Sequence, residues 1–134
     1  MRKHIIISTI ATIVIIALAV GFLLFSFLSP KVNISGRNAI LNYVYNDKKI
    51  NINLNAQESR IIKDMFNNKR LYKDNPSCGF SENVSISFGK TTFCIACDSC
   101  PIVKLEDKYF KISKQDRKIL NKIFGEYGAF FPCV

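Results

Sequence analysis

Hydrophobic positions run unbroken at the start of this chain and become periodic after it. From Ile5 to Leu28 there is no charged residue, and Ser and Thr are the only polar interruptions of a run of Ile, Val, Leu, Phe and Ala. A helix rises ~1.5 Å per residue, so about 20 residues cross a hydrocarbon core. The stretch therefore reads as a transmembrane segment, preceded by the short basic tail Met1-Arg2-Lys3-His4. A cleaved signal peptide competes with this reading. Its apolar region is shorter and ends at small residues, whereas this one ends Phe25-Ser26-Phe27-Leu28-Ser29-Pro30. An uncleaved signal anchor is expected, with the tail inside the cell and the remainder outside.

Beyond the anchor, residues 29–38 read as a juxtamembrane linker and 39–134 as one domain. Ile40, Tyr43 and Tyr45, then Asn46-Asp47, then Ile50, Ile52 and Leu54 form a hairpin pattern, two strands around a turn-forming pair. Asn55 is placed to cap a helix with Glu58 as its reciprocal partner. Ile61, Ile62, Met65 and Phe66 follow at helical spacing, and Asn67-Asn68 ends the run. Residues 69–83 read as a polar loop. Val84, Ile86 and Phe88 alternate with serines, Gly89-Lys90 turns the chain, and Phe93, Ile95 and Cys97 share one face of the returning strand. Ile102–Leu105 and Tyr109–Ile112 bracket a turn at Glu106-Asp107. Ser113 caps a last helix with Asp116 at the box position, and Gly125 or Gly128 stops it.

These elements predict an α+β fold: an antiparallel sheet of about six strands with two amphipathic helices on one face. The two helices carry cap, Gln, acid, base and apolar residues at the same offsets, from Asn55 and from Ser113, and each follows a hairpin. A duplicated strand–strand–helix unit would account for this, as would convergence of any two well-capped amphipathic helices.

The chain has a formal net charge of +9. Its cations lie singly or in pairs, such as Lys48-Lys49, Lys69-Arg70 and Arg117-Lys118, which reads as a solvated surface with some attraction for anionic partners. The partners expected are the membrane and either anionic envelope polymers or another envelope protein. Aromatic residues near lysines read as strand packing, so nucleic acid is not expected. His4, at the start of the anchor, is the only histidine, which excludes Ser-His-Asp, Cys-His and His-ligated zinc chemistry in the domain. Glu106-Asp107 read as turn residues. Gly-rich phosphate loops are absent. No catalytic residue and no cofactor is assigned, and the domain is expected to bind rather than catalyse.

The remaining chemistry lies in Cys78, Cys94, Cys97, Cys100 and Cys133. Outside the cytoplasm, thiols pair and stabilise small domains, and a Cys78–Cys133 bridge is the preferred expectation because it would tie down the C-terminal end. Five is odd, so at least one cysteine has no partner within the chain. A second reading starts from Cys94-Ile-Ala-Cys97-Asp-Ser-Cys100, which resembles the C-x2-C-x2-C run of bacterial ferredoxins. That resemblance implies thiolate ligands for an iron–sulfur cluster or a metal, completed by Cys78 or Cys133. The run departs from the family, because Lys104 stands where its fourth cysteine belongs. A third reading takes Cys97-Asp-Ser-Cys100 as a thiol-redox pair. Asp98 would raise the neighbouring thiol pKa, and Pro101–Leu105 reads as strand where that fold has a helix.

The segments Asn75-Pro-Ser-Cys78-Gly-Phe80, Ala96-Cys-Asp-Ser-Cys100-Pro101 and Tyr127-Gly-Ala-Phe-Phe-Pro-Cys133 resemble small hypothetical proteins of AT-rich Gram-positive bacteria. The resemblance covers roughly the C-terminal half, agrees with a membrane-anchored placement and implies no known activity.

Overall fold

The computed structural model describes residues 2–129 and divides into two compact units, one ending at Pro30 and the other beginning at Lys31. In the first unit, α1 (Arg2–Leu28) contains a span, Thr9–Leu28, long and apolar enough to cross a membrane. It is apolar around its whole circumference and buries none of that span within the protein, unlike the core helix of a soluble domain.

The second unit is a six-stranded antiparallel sheet with two helices. In chain order the elements are β1 (Ala39–Tyr45), β2 (Lys48–Asn53), α2 (Ala56–Phe66), β3 (Phe80–Phe88), β4 (Thr91–Ala96), β5 (Ile102–Leu105), β6 (Lys108–Lys111) and α3 (Lys114–Glu126). In space the strands run β2-β1-β3-β4-β5-β6. Asn46 and Asp47 both adopt positive φ (49° and 59°), the backbone that matches the twist of a two-residue hairpin, and so close β1 onto β2. The expected caps form on both helices. Asn55 accepts from the Glu58 amide while Glu58 accepts from the Asn55 amide, and Ser113 and Asp116 do the same. Gly125 lies within α3; the chain turns away instead at Gly128, whose φ of 76° suits glycine.

One sheet face is apolar. Register places Leu41 opposite Ile86, Ile86 opposite Phe93, Ile95 opposite Val103 and Val103 opposite Phe110. Ile62, Met65 and Phe66 of α2 and Leu120, Ile123 and Phe124 of α3 join these residues in one core. Phe66 meets the sheet through Phe93 and Phe110, with ring centroids 5.2 and 5.3 Å away. Cores of this kind carry most of a domain's stabilisation, at about 25 cal/mol per Å² of apolar surface removed from water.

The fold corrects three sequence readings. Residues 31–38 are not a free linker: Val32 and Ile34 are buried in the core. The Val32 amide donates to Lys69 O, Asn68 N donates to Val32 O, and Ile34 N donates to Asn67 Oδ1, each at 2.9 Å. The loop read as 69–83 is shorter, because β3 begins at Phe80 and a bulge absorbs Ser81–Asn83, leaving Ser85 opposite Cys94. Arg117, read as surface charge, is buried with only 4% exposure.

Reading outward from the seam between β3 and β4, each half of the sheet ends in a hairpin that leads into a helix: β1–β2 into α2, β5–β6 into α3. The hairpin–helix unit thus recurs on both sides. The sheet's margins differ, however. Tyr72 closes the outer side of β6 through paired backbone hydrogen bonds with Tyr109, both 2.9 Å, whereas β2 is the last strand on its side.

Candidate functional site

The sheet face turned away from α2 and α3 is mostly polar over β1 to β4, while towards β6 Phe80 and Tyr109 pack on it with ring centroids 5.5 Å apart. A row of paired positions crosses all six strands: Asn51, Asn42, Ser85, Cys94, Lys104 and Tyr109. Side chains on this face bond one another. Asn42 Nδ2 donates to Ser87 Oγ at 2.9 Å and to Ser85 Oγ at 3.3 Å, and the Ser87 and Thr92 hydroxyls are 3.1 Å apart. Ser85 Oγ also donates to Glu82 O at 3.0 Å, holding the bulge of β3 against the face.

The bulge stands between two depressions and lines both. One, of about 280 Å³, is walled by Phe80, Glu82, Lys90, Thr92, Cys94 and Lys104. The other, of about 240 Å³, is walled by Asn42, Val44, Lys49, Asn51, Glu82 and Ser87. Each is smaller than a typical small-molecule pocket. They adjoin across the bulge, with Glu82 and Thr92 lining both, and together suit an extended polar chain lying across the strands. Amide and hydroxyl groups offer both donors and acceptors, and lysines stand at the two ends.

The cysteines of the C-x2-C-x2-C run do not converge. Cys94 lies on the polar face, half-buried as a free thiol. Burial first, and then Glu82, push its pKa up, against the opposing pull of Lys104, so the thiol stays protonated and is a poor nucleophile. Cys97 is buried with the apolar core. Cys100 is bonded to Cys78, with Cα atoms 6.3 Å apart. The expected Cys78–Cys133 bridge is therefore replaced by Cys78–Cys100, and Cys133 lies outside the described residues. The reason is local: Cys97 N donates to Gly79 O at 2.8 Å, which lays the entry to β3 along the exit of β4. Among the described residues, the one group of potential metal ligands at this loop is Cys78, Asp98 and Cys100. Two of its sulfurs are bonded to each other, and a disulfide offers no thiolate to a metal.

Arg117 organises the same loop. Its guanidinium donates to Asp98 O at 2.7 Å and Cys100 O at 3.1 Å, and its Nε to Asn121 Oδ1 at 2.9 Å. Desolvation lowers its pKa, while Asp98 and Cys97 raise it. Ser59 occupies the matching place on α2, four residues after the cap. It is also buried, and its hydroxyl accepts from Ala39 N at 3.0 Å where β1 begins. Sequence reading missed both residues, although Arg117 falls at helical spacing from Leu120 and Phe124. Compared with protein families, curated proteins and solved structures, the chain finds no match.

Proposed function

We propose that this chain is a membrane-tethered, extracytoplasmic, non-enzymatic binding domain, held at the cell envelope by α1. Its binding surface is the helix-free sheet face, and its ligand is an anionic envelope polymer. The observation that carries the proposal is that this face is mostly polar, grooved and lined by convergent amides and hydroxyls. Lys49 at one end, with Lys90 and Lys104 at the other, outnumber the lining acids Glu82 and Glu106 and supply attraction for a polyanion. The Cys78–Cys100 disulfide supports the placement, because such bonds persist in oxidising compartments.

Two measurements test this. On intact cells, a membrane-impermeant maleimide should label thiols at Cys78 and Cys100 only after reduction and without lysis. Labelling that needs lysis but no reductant would place the domain in the cytoplasm. Detergent-solubilised full-length protein should bind purified anionic wall polymer, and the Lys49→Gln/Lys104→Gln variant should bind at least about tenfold more weakly. Binding should also fade in moderate salt, since surface charges are screened within ~10 Å at 0.1 M. Indifference to both salt and substitution would sink the polymer assignment.

A further inference from the structure

The chain leaves almost no slack between the apolar helix and the domain. Leu28 ends α1 and Val32 is already a core residue. Four residues of fully extended chain reach at most about 14 Å. The headgroup layer on each side of a bilayer is roughly 5–8 Å deep. With Leu28 at the hydrocarbon boundary, even a fully extended connection holds Val32 within about 6–9 Å of the headgroup surface, close to one Debye length at physiological salt.

The surface where the chain enters the domain is basic. Lys31 pairs with Arg70 as an isolated bridge, and the Lys69 carbonyl accepts from Val32 N. Lys31 and Arg70 are exposed and Lys69 is partly so. Residues 29–38 and 65–73, the segments these bonds join, contain Lys31, Arg37, Lys69, Arg70 and Lys73 and not one carboxylate. Asp64 and Asp74 are the first acids beyond the second segment. A cluster of this sign, tethered this closely, matches the anionic lipids of a bilayer surface, where each nearby cation contributes about 1 kcal/mol.

We infer that Lys31, Lys69 and Arg70 form a headgroup-binding patch that docks the domain onto anionic phospholipid. The inference rests on reading α1 as a membrane span. It concerns a different surface from the grooved sheet face and does not depend on what that face binds.

The test uses full-length protein reconstituted into phosphatidylcholine vesicles, with and without one-third phosphatidylglycerol. Trypsin cleaves after Lys31, Lys69, Arg70 and Lys73, and mass spectrometry gives each initial rate. Phosphatidylglycerol should slow cleavage at these sites at least about fivefold, the factor that one cation contributes. Cleavage after Lys49 and Lys90 should be unchanged, and high salt should abolish the difference. In the Lys31→Glu/Lys69→Glu variant, cleavage after Arg70 and Lys73 should no longer respond to phosphatidylglycerol. Equal rates in both vesicle types, with the protein floating with the vesicles, would overturn the patch and leave the anchor standing. Equal slowing at Lys49 and Lys90 would also overturn it, because adsorption would then not go through this surface. Failure to float with either vesicle would remove the anchor reading, and the patch with it. The wild-type comparison stands even if the charge-reversed variant misfolds.

Discussion

Arg117 shows what a single buried cation does for a loop. Buried itself, it satisfies the part-buried carbonyls of Asp98 and Cys100. Arg117→Met keeps much of the volume and removes every donor, so it should destabilise the domain by roughly 3 kcal/mol. The guanidinium chloride midpoint reports this, and reduction of Cys78–Cys100 by dithiothreitol should accelerate severalfold as the loop loosens. Removing the bridge itself, with Cys78→Ser/Cys100→Ser, should cost about 3 kcal/mol, in the range expected for a loop of this length (sequence separation 22). Cys94 behaves oppositely. Its folded pKa is raised, so its contribution to stability is complete below the ordinary value of 9.0 and is lost as pH climbs through the folded pKa. Iodoacetamide should modify Cys94 more slowly than a free cysteine at neutral pH and catch up only in alkali. The number and position of the cysteines were legible in the sequence, but their pairing was not. Pairing depends on where β3 begins, and no alternation marks Phe80–Asn83. Arg117 was missed for a different reason, since a charged residue in a basic chain reads as surface unless its place on the helix is counted.

At the scale of elements, the caps and turns were the most legible features, because each depends on residues only a few positions apart. Asn55-x-x-Glu58 and Ser113-x-x-Asp116 form the reciprocal bonds their spacing requires. Asn55→Ala and Ser113→Ala should each cost about 1 kcal/mol, and nearly additively if the two sites are independent, as read by denaturant melts of the single and double variants. Departure from additivity would point to coupling through Tyr127. Its hydroxyl donates to Glu58 Oε2 at 2.9 Å, and its carbonyl accepts from Tyr43 Oη at 2.8 Å. The bulge in β3 was not legible. Its register is fixed by β1 on one side and β4 on the other, and such non-local pairing leaves no short-range signal. Yet the bulge separates and shapes the two depressions. The candidate site was therefore the part of the molecule least visible in the sequence, although the serines of its floor were in view as the polar half of an alternating strand.

At the scale of the molecule, the fold class was legible because hairpins and amphipathic helices can assemble in few ways, and a helix layer on one sheet face is the simplest. What the pattern could not reveal was how the two margins of the sheet would be finished. Tyr72 covers the outer side of β6 at Tyr109, while β2 ends the sheet with Lys48 and Lys49 exposed. An unsealed margin is a template for another copy of the same strand, and lysine is a common guard against that. The danger grows when copies share a surface, because confinement in two dimensions raises their effective concentration. Lys48→Val/Lys49→Val should leave the monomer folded yet make it prone to self-association in vesicles, seen as cross-linked ladders and thioflavin fluorescence absent from the wild type. The lysine pair in that hairpin would then be a spacer between neighbours, keeping a crowded layer of these molecules from zipping into fibrils.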